Sequence, residues 1–379
     1  MPASPILLLV PYRNKAAVLY SQIPTSASAS GDMVVSRAGV STRVNAQGNI
    51  ESVAANVPRL NYPLGGVANG CPALLVEPAA TNLLLQSEAW NVSPWAATSG
   101  SQGATVSGNV TTSPDGTTNA DKLIEAAVTG SHFCLQSLTL TSGTTHTASF
   151  FVKASERTRG RLRTSGSGAY WDLDFNLTSG TVTGGTNPFI QNFGNGWFRI
   201  GATFTANQAS NNFILFLLDA SGNASYTGSG TDGIFVWGAQ LETGSIATSY
   251  IPTTTAAVTR NADIVTNNTF VIPNLIGAIL TEFDSPTSGT YFLDNIPIPI
   301  ASGSNKIAIS YTPTTLTIYR NGVQVSGSPV TPPGGTAPVI GNVINIGHNN
   351  QLYQLGSGIK SFVLYSSTLS AAEASGLTT

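Results

Sequence analysis

The sequence predicts an all-β protein, with β-sandwich domains in tandem behind an N-terminal collar of short strands. Three observations predict it. Charged residues make up 9% of the 379, against roughly 25% in an ordinary globular chain, while 39 glycines and many Ser, Thr and Asn residues supply turns and hydroxyl-rich surfaces. With 41% hydrophobic residues the chain has material for real cores and does not read as disordered. Second, apolar residues recur at every other position in several runs, which is the period of a half-buried strand. Third, Asn321-Gly322 stands between two alternating runs. Both residues of a two-residue hairpin turn need φ > 0, which Asn and Gly tolerate best.

Taken in order, residues 1–90 form the collar. Ile6 to Val10 is a short apolar run, and Thr25 to Ser30 has the small polar character of a linker. From residue 32 onward, turn residues such as Asn45, Gly48, Asn56, Gly65 and Gly66 separate apolar pieces too short to build a core alone. These pieces are expected to pack on neighbours. Thr81 to Trp90 is expected to hold one helical turn with Leu83 to Leu85 buried.

Residues 91–265 form the sandwich. His146, Ala148, Phe150 and Val152 share one face of a strand, as do Trp171, Leu173 and Phe175, and as do Phe198, Ile200, Ala202 and Phe204. Phe213 to Leu218 is apolar throughout, as a central strand would be, and turn signals at Asp115-Gly116, Gly180, Gly194-Asn195-Gly196 and Ser221-Gly222-Asn223 separate the runs. Residues 266–379 form a second β domain. Ile307, Ile309 and Tyr311 alternate, and Ser370 with Glu373 makes a capping box for one short helix.

Net charge is −2 with no basic run, so neither nucleic acid nor an anionic membrane is an expected partner. No stretch approaches 18 apolar residues, and the Ile6–Val10 run lacks the basic flank and length of a secretory signal, so synthesis in a cytoplasm is expected. Cys71 and Cys134 lie outside any CxxC and read as two small buried hydrophobes. His132, His146 and His348 have no ligand partner at short spacing, and Trp90, Trp95 and Trp237 read as core. There is no HExxH, GxSxG or phosphate-binding glycine loop, and no heptad run. An enzyme is not expected.

Four stretches in order carry a family likeness. They are Thr42-Arg43-Val44-Asn45 through Pro58-Arg59, Leu74-Leu75-Val76-Glu77-Pro78 through Glu88, Gly194-Asn195-Gly196-Trp197-Phe198-Arg199-Ile200, and the closing Ala239-Gln240-Leu241-Glu242 through Tyr250-Ile251-Pro252. They resemble head-spike and tail-fibre proteins of tailed bacteriophages, which place such a collar before a carbohydrate-module-like jelly roll. Leu316 to Val325, Asn345-Ile346-Gly347 and Gly358 to Tyr365 are similar to concanavalin-like or laminin-G-like domains, though short for that fold. The resemblance implies a structural virion protein, made in the host bacterial cytoplasm and displayed on the particle surface as a homotrimer. Residues 1–90 would meet capsid or tail proteins, and the jelly roll would meet host surface glycan. A capsid decoration or adaptor protein without a glycan role, and a polysaccharide depolymerase, are the alternatives.

Asp172 and Asp174 are the most suggestive carboxylates, because i, i+2 spacing puts both on one strand face. As a glycosidase pair they are too constrained to flank a bond. With Tyr170, Trp197 and Arg199 they form the candidate glycan site, since sugars favour an aromatic platform ringed by polar groups. The competing readings are a solvated strand face for the two acids, and a Trp197 packed inside behind the Gly194-Asn195-Gly196 turn. No cofactor is expected. Asp115, Asp121 and Asp232 are the candidate oxygen ligands should a structural Ca²⁺ be held.

Overall fold

The computed structural model describes strands 5–9, 13–15 and 18–20, then residues 34–62, 64, 72–95, 103–166, 169–267, 277–285, 289–293, 296–300, 303–312, 315–325, 328, 344–346, 358–365 and 368–378. The expected linker at Thr25 to Ser30, Gly65, Gly66, Cys71 and His348 lie outside them. The described chain is nearly all β, with the single short helix Ala371–Thr378.

Between residues 104 and 243 two antiparallel sheets face each other. One has six strands, in the order Ala104–Thr111, Ala120–Glu125, Gly233–Thr243, Thr145–Ala154, Trp197–Thr205, Thr186–Gly194. The other has five, in the order Phe133–Thr139, Ser210–Leu217, Arg159–Gly166, Ala169–Asn176, Thr181–Gly184. The core between them is the set that alternation picks out. Ala148, Phe150, Val152, Ile200, Ala202 and Phe204 come from the first sheet, and Cys134, Leu162, Leu173, Phe175, Phe213, Leu215 and Leu217 from the second. Trp90 and Trp95, stacked with centroids 4.2 Å apart, close the core against Phe150 and Phe213.

One bulge keeps this core continuous. In the strand Gly233–Thr243 the register against 145–154 shifts between Ser149 and Phe151, at Gly238 with φ +63°. Ile234 and Val236 face the core before it and Ala239 and Leu241 after it, so the parity changes at the bulge while the buried face does not.

The expected helical turn in Thr81 to Trp90 does not form. Ala80–Asn82 is a strand paired with Val258–Arg260, and bends and turns follow it. The backbone donors of Gln86 and Ser87 go to Thr254 O and Thr253 O, and Leu84 N takes the Asn82 side chain, so these donors are bonded outside a helical ladder. Of Leu83 to Leu85 only Leu84 is fully buried; Leu83 and Leu85 are half-buried.

The short pieces of residues 1–90 lie on neighbours. Arg59–Asn61 and Ala73–Leu75 extend an eight-stranded sheet whose other members are Gly358–Tyr365, Gly277–Ser285, Gly303–Tyr311, Leu316–Arg320 and Val323–Gln324, and Pro5–Leu9 pairs with Gly358–Tyr365. Val34–Ser36 pairs with Ile264–Asn267. Sheets therefore run across the 90/91 and 265/266 positions. The Asn321-Gly322 hairpin forms with φ of 47° and 82°. Ser370 caps the terminal helix, its hydroxyl and Glu373 bonding reciprocally, and the helix sets Ala374 against Ala308 and Tyr319.

Candidate ligand-binding surfaces

The five predicted glycan residues fall on two different sheets. Asp172 and Asp174 lie on the outer face of the five-stranded sheet. Cross-strand register sets Arg163 opposite Asp172 and Arg161 opposite Asp174. Each pair is bidentate: Arg163 Nε and its terminal nitrogen lie 2.6 and 2.7 Å from the Asp172 oxygens, and Arg161 lies 2.5 and 2.8 Å from those of Asp174. Tyr170, two residues before Asp172 on the same strand, pairs with Ser165, and its side chain lies outside the described residues.

The same face continues into an apolar half. Phe216 and Ile214 stand opposite Arg161 and Arg163 on the next strand, and Phe133 and Leu135 stand beyond them. Phe133 and Phe216 have centroids 4.9 Å apart, and the Arg163 guanidinium lies 5.3 Å above the Phe216 ring. Ile214, Phe216 and Leu218 thus form a second cluster on the side away from the core. Arg161, Arg163, Phe133 and Phe216 were not among the predicted site residues. The signal was present as Arg159-x-Arg161-x-Arg163 at strand period beside Asp172-x-Asp174.

Trp197 and Arg199 belong to the six-stranded sheet, on its outer face, and that face is covered. Trp197 is 2% exposed, clusters with Phe151, Trp237 and Tyr250, and donates its ring N–H to Thr112 O at 2.9 Å. The packed reading of Trp197 is the one the geometry bears out. Arg199 is 6% exposed and donates to Thr248 O and Ser149 Oγ, with its guanidinium 5.5 Å above Phe151. The covering layer is the hairpin Ser41–Val44/Ile50–Val53 and the exit segment 245–251, joined where Thr42 donates to Tyr250 O, and the hairpin is also tied to the sandwich where Ile50 N donates to Pro114 O.

A buried ionic hub fastens this layer. Arg59 bonds Glu77 at 2.8 Å and also Asp263; Arg37 reaches Asp263 at 2.8 Å; Arg260 lies 3.5 Å from Glu77. Burial pushes the Glu77 carboxyl up, but Arg260 and Arg59 outweigh it and hold the group down at about 2. Burial lowers Arg59 while Glu77 and Asp263 raise it further, leaving it above its ordinary value. The hub links the collar residues 37, 59 and 77 to the chain leaving the sandwich at 260–263.

Between the hairpin and the six-stranded sheet is a cavity of about 130 Å³, opening to solvent. Its walls include Val44, Ile50, Phe193, Tyr250, Gln191 and Arg199.

The three candidate calcium carboxylates serve separate purposes. Asp121 accepts the backbone N–H of Trp90, Asn91 and Asn109; Asp115 organises its own turn through Ser113 and Thr117; Asp232 lies 3.5 Å from Arg157. Each is used within the fold, and among the described residues no three acidic, His or Cys groups gather as a cation would need. His132 and His146 are buried. No helix among the described residues is long and apolar enough to cross a membrane. No protein-family model matches the chain, and no curated protein matches it.

Proposed function

We propose that this is a structural protein of the tailed-phage virion surface, a fibre or spike on head or tail, that binds host glycan through the outer face of the five-stranded sheet. It is a homotrimer held to capsid or tail protein through residues 1–90, and it is not an enzyme. The order of sequence stretches supports the virion reading. One observation carries the glycan reading: the half-buried Phe133, packed on a buried Phe216, stands beside two partly exposed bidentate Arg–Asp pairs on a single sheet face. Rings and aliphatic groups match the apolar face of a sugar, and fixed guanidinium and carboxylate groups match its hydroxyls. Both carboxylates are engaged with arginine, which favours binding over acid–base cleavage by this pair. Single contacts of this type are weak, so three copies per spike supply the avidity.

Labelling the protein on intact particles and imaging them tests the virion reading. Label on fibres or spikes is expected, with a mass by light scattering near three chains. Particles without label would overturn the virion reading, and a folded monomer at micromolar concentration would overturn the trimer.

A further inference from the structure

Arg159, Arg161 and Arg163 alternate along one strand, so all three side chains leave it on the outer face of the five-stranded sheet. The neighbouring strand sets Asp172 opposite Arg163 and Asp174 opposite Arg161, but Asn176 opposite Arg159. The row of acids thus stops one rung short of the row of arginines. The Asn176 side-chain oxygen is engaged within its own turn, where it accepts the backbone N–H of Thr178 at 3.0 Å. Among the described residues no carboxylate pairs with the Arg159 guanidinium. The acids nearest in register or sequence are committed elsewhere. Asp174 takes both its bonds from Arg161, Glu156 meets Lys122 at 2.7 Å, and Asp219 accepts from Ser221 and Asn223 in its own turn. Arg159 is half-buried, as are Arg161 and Arg163, and so is reachable from solvent.

Strand register fixes what surrounds this charge. One rung runs Phe133, Phe216, Arg161, Asp174, Thr183 across the sheet. The adjacent rung runs Leu218, Arg159, Asn176, Thr181, with Leu218 N–H donating to Arg159 O. Backbone positions 133 and 159 are two strands and two residues apart, roughly 12 Å at ordinary sheet spacings. A disaccharide or longer chain reaches from one to the other. The neighbouring rungs show which anion a guanidinium on this face takes, since Arg161 and Arg163 each hold a carboxylate through two parallel bonds. We propose, resting on the glycan reading of this face, that its ligand is an acidic polysaccharide, in which a hexuronate or other carboxylate-bearing sugar sets its carboxylate on Arg159 while a neighbouring ring lies against Phe133.

The test is calorimetric titration of the full chain with short oligosaccharides carrying glucuronate, galacturonate or N-acetylneuraminate, each beside its own methyl ester, at constant ionic strength in a buffer free of carboxylates. The ester keeps ring and linkage and removes the charge. At least one acid is expected to bind tenfold or more tighter than its ester. Arg159→Gln should bring that acid down to the level of the ester, with the melting temperature within a few degrees of wild type because the guanidinium has no ion pair to lose. Acid and ester bound alike, or a preference for the acid that survives in folded Arg159→Gln, would overturn the proposal. A sulfated glucose competing as well as the acid would show attraction to charge alone and overturn the carboxylate assignment. Phe133→Ser leaves every charge in place and separates the two claims. Acid and ester bound alike by wild type and both weakened in Phe133→Ser would remove the acid while the glycan reading stands. No binding of these ligands or of host polysaccharide would overturn the glycan reading, and the acid with it.

Discussion

Trp197 and Arg199 sit two residues apart on one strand, under the same cover. For Trp197 the consequence is a structural role. Trp197→Ala should cost about 3–5 kcal/mol in a denaturant titration, the usual loss for a buried aromatic side chain. A change below about 1 kcal/mol would mean the ring is not packed as described. His146 gives a second prediction. Burial, partly offset by the Glu242 backbone, lowers its pKa below the ordinary 6.5. A base harder to protonate when folded leaves stability whole above 6.5 and removes it as pH falls below, because the unfolded chain then binds more protons. Glu88 and Glu242 work in the opposite direction, since burial raises both and protonation favours the folded state as pH falls. The His146 share is therefore read as a difference: the gap in melting temperature between wild type and His146→Leu should move in favour of the variant as pH drops from 7.5 to 5.5. A gap independent of pH would contradict it.

At the scale of elements, the bulge at Gly238 aligns two halves of one strand on the core. A Cβ there would lie 2.8 Å from the Phe151 ring at a φ of +63°, so Gly238→Ala should lower stability by about 1–3 kcal/mol, measured by thermal melting. Much of the sandwich was legible beforehand. The alternating runs at 146–152, 171–175 and 198–204 name residues of the observed core, the Asn321-Gly322 turn forms, and the capping box starts the terminal helix. Periodicity gave the right parity but could not say what covers the second face. Trp197 and Arg199 face away from the core as expected, yet the collar hairpin and exit segment lie over them. The Asp172/Asp174 face is partly open because no such layer lies across it among the described residues, and its partner arginines come from a neighbouring strand that pattern alone does not pair. The 81–90 segment was misread because its donors are used by residues 253 and 254, far along the chain.

Across the whole molecule, the ionic hub joins segments more than two hundred residues apart, from Arg37 to Asp263. Three arginines here share two acids, all nearly without solvent, so loss of either acid leaves buried guanidinium groups facing one another. Asp263→Ala should cost about 3–5 kcal/mol and loosen the collar from the sandwich, seen as faster amide exchange in residues 37–59; a loss within 0.5 kcal/mol would show that the hub does not fasten the layer. Among the described residues the collar covers one sandwich face and leaves the Asp172 and Asp174 edge of the other partly exposed, which is the basis for proposing glycan binding at the five-stranded sheet. The most direct test is the binding of the purified protein to host surface polysaccharide, comparing wild type with the Phe133→Ser/Asp174→Asn chain and following melting in parallel. The account predicts that binding falls at least tenfold in the variant while its melting temperature stays within a few degrees. Undiminished binding by a folded variant would contradict it.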